Sequence, residues 1–139
     1  MISTKGRYAL RFLADLAENG RGAYIPLKDI SERQGISLKY AERLMTLLAK
    51  AGLVESQNGK GGGYRMNRVP ADYHVGEVLR AVGEELAPVA CLARDSSPCA
   101  RAGQCPTLPM WRKLDSMVND FFDGVTVADL LETKISGVS

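Results

Sequence analysis

Cys91, Cys99 and Cys105 hold every thiol in the chain, separated by seven and then five residues in a stretch interrupted by Pro98, Gly103 and Pro106. A thiolate is both a nucleophile and a soft metal ligand, so three on one loop admit several kinds of chemistry. They can hold an iron–sulfur cluster, which commonly takes four thiolates with histidine as an occasional substitute. They can bind zinc or pair as a redox-responsive disulfide. They can also be inert, in a protein that responds to something else. Three cysteines leave the fourth position of a cluster to another group. His74 is the single histidine, 17 residues before Cys91 and across an expected helix. Asp95 within the loop and an exogenous water or small thiol are the other candidates.

Other chemistry finds little support. One histidine leaves little scope for a Ser/His/Asp or Cys/His site, and no glycine-rich dinucleotide loop follows a strand and opens a helix. Glu84 and Glu85 are adjacent rather than stacked on one helical face, so they do not make a positioned carboxylate pair. The expectation is a protein that is not an enzyme.

At 139 residues and 45% hydrophobic content, the chain suits one compact domain, or a small domain with an oligomerisation element. The opening Met1–Arg7 segment lacks the apolar run of a signal peptide. No window approaches the roughly 18 apolar residues of a membrane span. A cytoplasmic protein is expected, with no membrane partner and with thiols kept reduced. The charge is unevenly divided. Residues 1–68 carry 12 Lys/Arg against 6 Asp/Glu, whereas residues 69–139 carry 6 against 10. A basic half joined to an acidic half implies that only the first meets a polyanion.

The apolar spacing of Ala9, Leu10, Phe12, Leu13, Leu16 and Ala17 predicts an amphipathic helix over 4–18, ended by Asn19-Gly20-Arg21-Gly22. A short helix is expected from Leu27 to Gln34, with Pro26 before it and Gly35 as its stop. Ser37 is placed to cap a third, Leu38 to Ala51, whose buried stripe would be Ala41, Leu44, Met45, Leu48 and Ala51, closed by Gly52. Two helices joined by the three-residue turn Gly35-Ile36-Ser37 match a helix-turn-helix. Strand-like residues 53–57 and 64–67 flank Asn58-Gly59-Lys60-Gly61-Gly62-Gly63, a glycine-rich turn that makes a β-hairpin wing. That turn does not meet the phosphate-loop pattern, because glycine follows Lys60 where Ser or Thr is needed.

Val75, Val78, Leu79 and Val82 mark a fourth helix over about 72–84, and the cysteine loop spans 85–107. Leu108, Trp111, Leu114, Met117, Val118, Phe121 and Phe122 then form an apolar stripe wider than a small core needs. Trp111, Leu114, Val118, Phe121 and Phe122 are the expected interface of a homodimer, the alternative being an internal core helix. Thr126 and Asp129 resemble a capping box for a last helix, Val127 to Lys134. The fold class expected is mainly α: a winged helix-turn-helix over 1–70, with the cysteine loop and a long C-terminal dimerisation helix within 71–139.

In that fold, polar residues at the start of the recognition helix face base edges of double-stranded DNA. These are Lys39, Tyr40, Glu42 and Arg43, with Thr46 one turn on. Arg43 suits guanine and Glu42 suits cytosine. Lys39, Lys60, Arg7 and Arg65 suit phosphate, where charge matters more than direction.

Ser3-Thr4-Lys5-Gly6-Arg7-Tyr8-Ala9-Leu10, the helix-turn-helix, Gly61-Gly62-Gly63-Tyr64-Arg65 and Val75-Gly76-Glu77-Val78 together resemble the Rrf-two (BadM-type) regulator family across essentially the whole chain. The opening segment and cysteine loop are most similar to its iron–sulfur members. The resemblance implies a homodimeric winged-helix repressor or activator, with Tyr40, Glu42 and Arg43 at base-reading positions and Asn58 at the wing tip. It also implies a 2Fe–2S or 4Fe–4S cluster on Cys91, Cys99 and Cys105 that tunes DNA binding. Two departures stand out. The iron–sulfur members place a histidine three residues after the third cysteine, where this chain has Leu108, and their first cysteine spacing is five residues rather than seven. Some redox-sensing members take a ligand from the partner's first helix; the matching positions here, near Arg7 and Arg11, are cationic, and Asp15 one turn further is the candidate the resemblance leaves.

Overall fold

The computed structural model describes residues 2–97 and 100–132. Helix α1 spans Thr4–Asp15, and the Ser3 hydroxyl caps it by accepting the Lys5 N–H at 3.2 Å. Its apolar face buries Ala9, Phe12 and Leu13. The helix was expected to run on to residue 18. Instead the chain widens into a single π turn over Leu16–Gly20, and Arg21 leaves it left-handed at φ 48°. The Asn19 amide holds that turn by donating to the Asp15 carbonyl at 3.1 Å.

Helices α2 (Leu27–Gln34) and α3 (Leu38–Lys50) flank a turn built from local devices. Gly35 sits at φ 65°, where a side chain is disfavoured. Ile36 donates to the Ser31 carbonyl at 3.1 Å while the Ser31 hydroxyl donates to the Ile36 carbonyl. Ser37 caps α3 by accepting the Tyr40 N–H at 3.2 Å. Ala41, Leu44, Met45 and Leu48 face the core as their spacing predicts, whereas Ala51 lies exposed at the helix end.

Strands β1 (Val54–Gln57) and β2 (Gly63–Met66) pair antiparallel, with Val54 opposite Met66 and Gln57 opposite Gly63. The hairpin is tied back to the segment before α2. Ile25 and Tyr64 exchange backbone hydrogen bonds at 2.8 and 2.9 Å. Gly63 allows this approach, since a Cβ there would stand 2.1 Å from the Ile25 carbonyl oxygen.

The fourth helix is shorter than its periodicity implied. A 3-10 turn over Pro70–Asp72 precedes Tyr73, and α4 covers only Val75–Ala81 before Gly83 turns left-handed. Tyr73 is fully buried, and its hydroxyl donates to the Leu53 carbonyl at 2.7 Å. The cysteine loop follows, with one 3-10 turn at Ala90–Leu92. Helix α5 spans Leu108–Asp123 and α6 spans Val127–Glu132; residues 133–139, including Lys134, lie outside the described chain. The capping box expected at α6 forms, with Thr126 N–H to Asp129 at 2.9 Å and Asp129 N–H to the Thr126 hydroxyl at 3.1 Å.

Two apolar clusters hold these elements. One joins α1, α2, α3 and β1 to Tyr73, Val78, Val82 and Val127, so residues on both sides of position 70 share a core. The other gathers Val75, Leu79, Leu86 and Val125, with Val118 and Phe122 of α5 against it.

Candidate nucleic-acid interface and cysteine loop

The polar face of α3 is open to solvent. Lys39, Glu42, Arg43 and Thr46 are exposed and border a shallow depression. A second groove of about 570 Å³ runs between the start of α3 and the wing, with Lys28, Leu38, Glu42 and Thr46 on one wall and Ser56, Gln57, Asn58 and Gly59 on the other. The Thr46 hydroxyl donates to the Glu42 carbonyl at 2.8 Å and is available to DNA only as an acceptor.

The remaining expected contacts differ in their surroundings. Arg7, Asn58 and Lys60 are exposed. Tyr40 is half-buried, its ring set edge-on to Tyr8 at 5.9 Å, and Arg11 lies 5.2 Å over Tyr8. Tyr40 therefore helps anchor α3 to α1. Arg65 lies 4.5 Å over the Tyr24 ring and 2.9 Å from a Glu55 carboxylate oxygen. Glu55 and Arg65 are cross-strand partners, and neither lines the groove. The pair is exposed on both sides, so Glu55 and the Tyr24 ring orient the Arg65 guanidinium on the wing. Lys28 and Gln57, not expected from the sequence, also line this groove.

Behind α3, Asp15 links the first two helices. It is buried and takes Arg33 at 2.7 Å and the Gln34 amide at 2.8 Å. Burial pushes its carboxyl up, but the hydrogen bonds from Arg33 and Gln34 and the Arg33 charge outweigh that and hold it below the ordinary range. Asp15 is thus committed and unsuited to ligate iron. His74 has its Nδ1 2.8 Å from the Asp123 carbonyl, which sets it at the end of α5 opposite Cys105 and away from the loop thiols.

Cys91 and Cys105 are half-buried free thiols, and Cys99 lies outside the described residues. Cys91 stands in the Ala90–Leu92 turn, and Cys105 precedes α5 with its sulfur 3.3 Å from the Thr107 hydroxyl. That hydroxyl, then the Thr107 and Leu108 backbone amides, draw the Cys105 thiol below its usual range against a smaller opposing effect of burial. Leu108 is 4% exposed and cannot serve as a donor. Among the described residues, no three His, Cys, Asp or Glu side chains are grouped to hold a metal ion. The donor chemistry still fits a cluster: two unpaired thiols, one biased toward thiolate by donors at a helix start, on the same loop as a third cysteine.

Helix α5 divides the expected apolar stripe. Val118 and Phe122 pack inward on Val75, Leu79, Leu86 and Val125, and Trp111 is half-buried. Met110, Leu114, Met117 and Phe121 stand 55, 38, 56 and 50% exposed. Their spacing of four, three and four residues makes one continuous outward seam.

A helix-turn-helix with a docked wing, an open polar face on its second helix and a long C-terminal helix defines a winged-helix DNA-binding protein. Residues 2–133 match the Rrf2 family, described as an iron-dependent transcriptional regulator; the chain belongs to this family of transcriptional regulators. It is 42% identical over 139 residues to the HTH-type transcriptional regulator IscR of Aliivibrio salmonicida, covering 99% of this chain and 82% of that protein. Among solved structures, IscR of T. potens aligns with a TM-score of 0.72 and 35% identity, over all of this chain and 92% of that one. CymR, the global cysteine regulator of B. subtilis, aligns with a TM-score of 0.76 and 32% identity, over 96% of this chain and 98% of that one. Among the described residues, no helix is long and apolar enough to cross a membrane.

Proposed function

We propose that the chain acts as a cytoplasmic homodimer that reads double-stranded DNA through α3 and the wing, and whose affinity is set by an iron–sulfur cluster on the cysteine loop. The observation that carries the DNA reading is the exposed polar face of α3, continuous with the groove to the wing. Arg43 and Glu42 discriminate bases, while Lys39, Lys28, Lys60 and Arg7 meet phosphate. The seam of Met110, Leu114, Met117 and Phe121 joins two copies, which sets the two recognition helices against the halves of a two-fold site. Trp111 lies at the margin of that contact, and Val118 and Phe122 support the seam from beneath.

Cys91, Cys99 and Cys105 would hold the cluster, which when bound supplies a redox- and iron-responsive group. The Thr107 hydroxyl, then the Thr107 and Leu108 amides, lower the Cys105 thiol from its usual range, which favours ligation there. With Leu108 in the core, Asp15 paired with Arg33 and His74 at the far end of α5, the fourth iron ligand falls to Asp95 on the loop or to an exogenous water or small thiol. A second reading, regulation by the thiols themselves, draws support from the same depressed Cys105 thiol. A related protein, S. aureus CymR, has been crystallised in an oxidised form. Anaerobic treatment with iron and sulfide separates the two readings. The cluster predicts a brown protein with acid-labile sulfide, lost in Cys91→Ser. A colourless, iron-free protein that still loses operator binding on mild oxidation would leave thiol chemistry in its place.

A further inference from the structure

Glu84 is only 4% exposed, although it begins the segment that leads into the cysteine loop. Its carboxylate accepts the N–H groups of Ser3 and Gly6 at 3.1 and 3.0 Å, and the Ser3 hydroxyl as well. An acidic side chain from position 84 thus satisfies free amides in the first turn of α1, where the helix dipole also favours it. The fit is close. A Cβ on Gly6 would lie 2.8 Å from the Glu84 side chain and 2.9 Å from Leu79.

The opposite side of the same segment is held by the loop. The Arg94 guanidinium donates to the Glu84 carbonyl at 3.3 Å and lies 3.6 Å from the Glu85 carboxylate, which also accepts the Arg94 N–H at 3.3 Å. Arg94 belongs to the turn that carries Cys91, closed by the Ser96 hydroxyl donating to the Cys91 carbonyl at 3.1 Å. At its other end α1 grips α2, through Arg11 to Gln34 at 3.0 Å and Asp15 to Arg33 at 2.7 Å. Contacts therefore run without a break from the Cys91 turn, through residues 84–85 and α1, to the helix-turn-helix.

We propose that Glu84 is a positioning residue that couples the cysteine loop to the seating of the helix-turn-helix, with Arg94 as the loop's hold on it. This rests on the reading that the loop thiols are the sensor. A group bound to the thiols redraws the 91–96 turn and shifts Arg94, and residues 84–85 move with it. A buried carboxylate that loses its donors is strongly disfavoured. The Glu84 clamp on α1 is therefore either made or broken, which gives the two-state element that coupling between distant sites requires.

The test changes the loop in two ways, by loading the full-length protein with iron and sulfide and, separately, by alkylating the loop thiols with iodoacetamide. Hydrogen exchange of the amides from Lys5 to Tyr8 and affinity for a selected DNA duplex are read in wild type, Arg94→Gln and Glu84→Gln. In wild type both readouts are expected to change by about fivefold or more, the lower end of ordinary allosteric coupling. In Arg94→Gln, an exposed change that leaves the fold intact, the thiols still react but both responses fall to within about twofold, the coupling having been cut. Arg94→Gln that responds as fully as wild type overturns the proposal, whatever Glu84→Gln does. A response to alkylation without any uptake of iron leaves the coupling standing and removes the cluster. A wild-type protein whose α1 and DNA affinity ignore both treatments removes the sensor and the coupling together.

Discussion

Arg43 and Glu42 are exposed neighbours on α3, and their chemistry is complementary: a two-pronged donor and an acceptor. Arg43→Ala is expected to cost about 1–3 kcal/mol of discrimination between a selected duplex and a random one, while non-specific affinity falls far less. Competition binding checks this, and unchanged discrimination would remove Arg43 from the base-reading set. Asp15 governs a different property. Its carboxyl is held below its ordinary value in the fold, so the stability it contributes is present above the unfolded-state value and is lost as pH falls through the folded-state value. Wild type should therefore lose stability more steeply than Asp15→Asn as pH falls below about 4, and Asp15→Asn should be the less stable of the two near neutrality. Denaturant melts at several pH values measure both trends. Parallel pH profiles would show that the Arg33 pair contributes nothing to acid stability.

At the scale of elements, α5 shows how one stripe serves two surfaces. Its periodicity was legible in the sequence, but its width hid two faces about a quarter of a turn apart, one around Val118 and Phe122 and one around Leu114 and Met117. Met117→Glu should dissociate the dimer without unfolding the chain, because Met117 is 56% exposed and its substitution buries no charge in the monomer core. Analytical ultracentrifugation and circular dichroism read the two effects separately; a dimer that survives the substitution would place the interface elsewhere. The helix-turn-helix was legible for a related reason. Gly35 at a left-handed φ and Ser37 as a cap are local devices whose physics lies within a few residues. What escaped was long-range. The strand-like pairing of Ile25 with Tyr64, the Glu84 clamp on α1 and the Tyr24 stack under Arg65 each join residues distant in sequence and carry no periodic signal. The Arg33 and Gln34 partners that take up Asp15 were hidden for the same reason.

Across the whole molecule, the uneven charge coincides with the proposed division of labour. The basic first half carries α3, the wing and the exposed cations around them, while the acidic second half carries the loop and the seam. DNA affinity should therefore fall steeply with salt. A dimer meeting phosphate with four cations per chain, Arg7, Lys28, Lys39 and Lys60, is expected to give a log–log slope of roughly −7. Lys60→Gln should make that slope shallower by about two, one phosphate being lost per protomer. A salt-independent affinity would contradict the assignment of the basic face. If the cysteine loop governs what α3 binds, removing its iron must change DNA affinity. Anaerobically reconstituted protein is titrated against a duplex selected from a random library, before and after chelation of its iron, beside Cys91→Ser. Wild-type affinity for that duplex is expected to change by about tenfold or more on chelation, within the ordinary range of coupling between sites. Cys91→Ser should show no change, and affinity for random DNA should stay constant throughout. Identical curves before and after removal of iron, with iron shown to have been bound, would contradict the account.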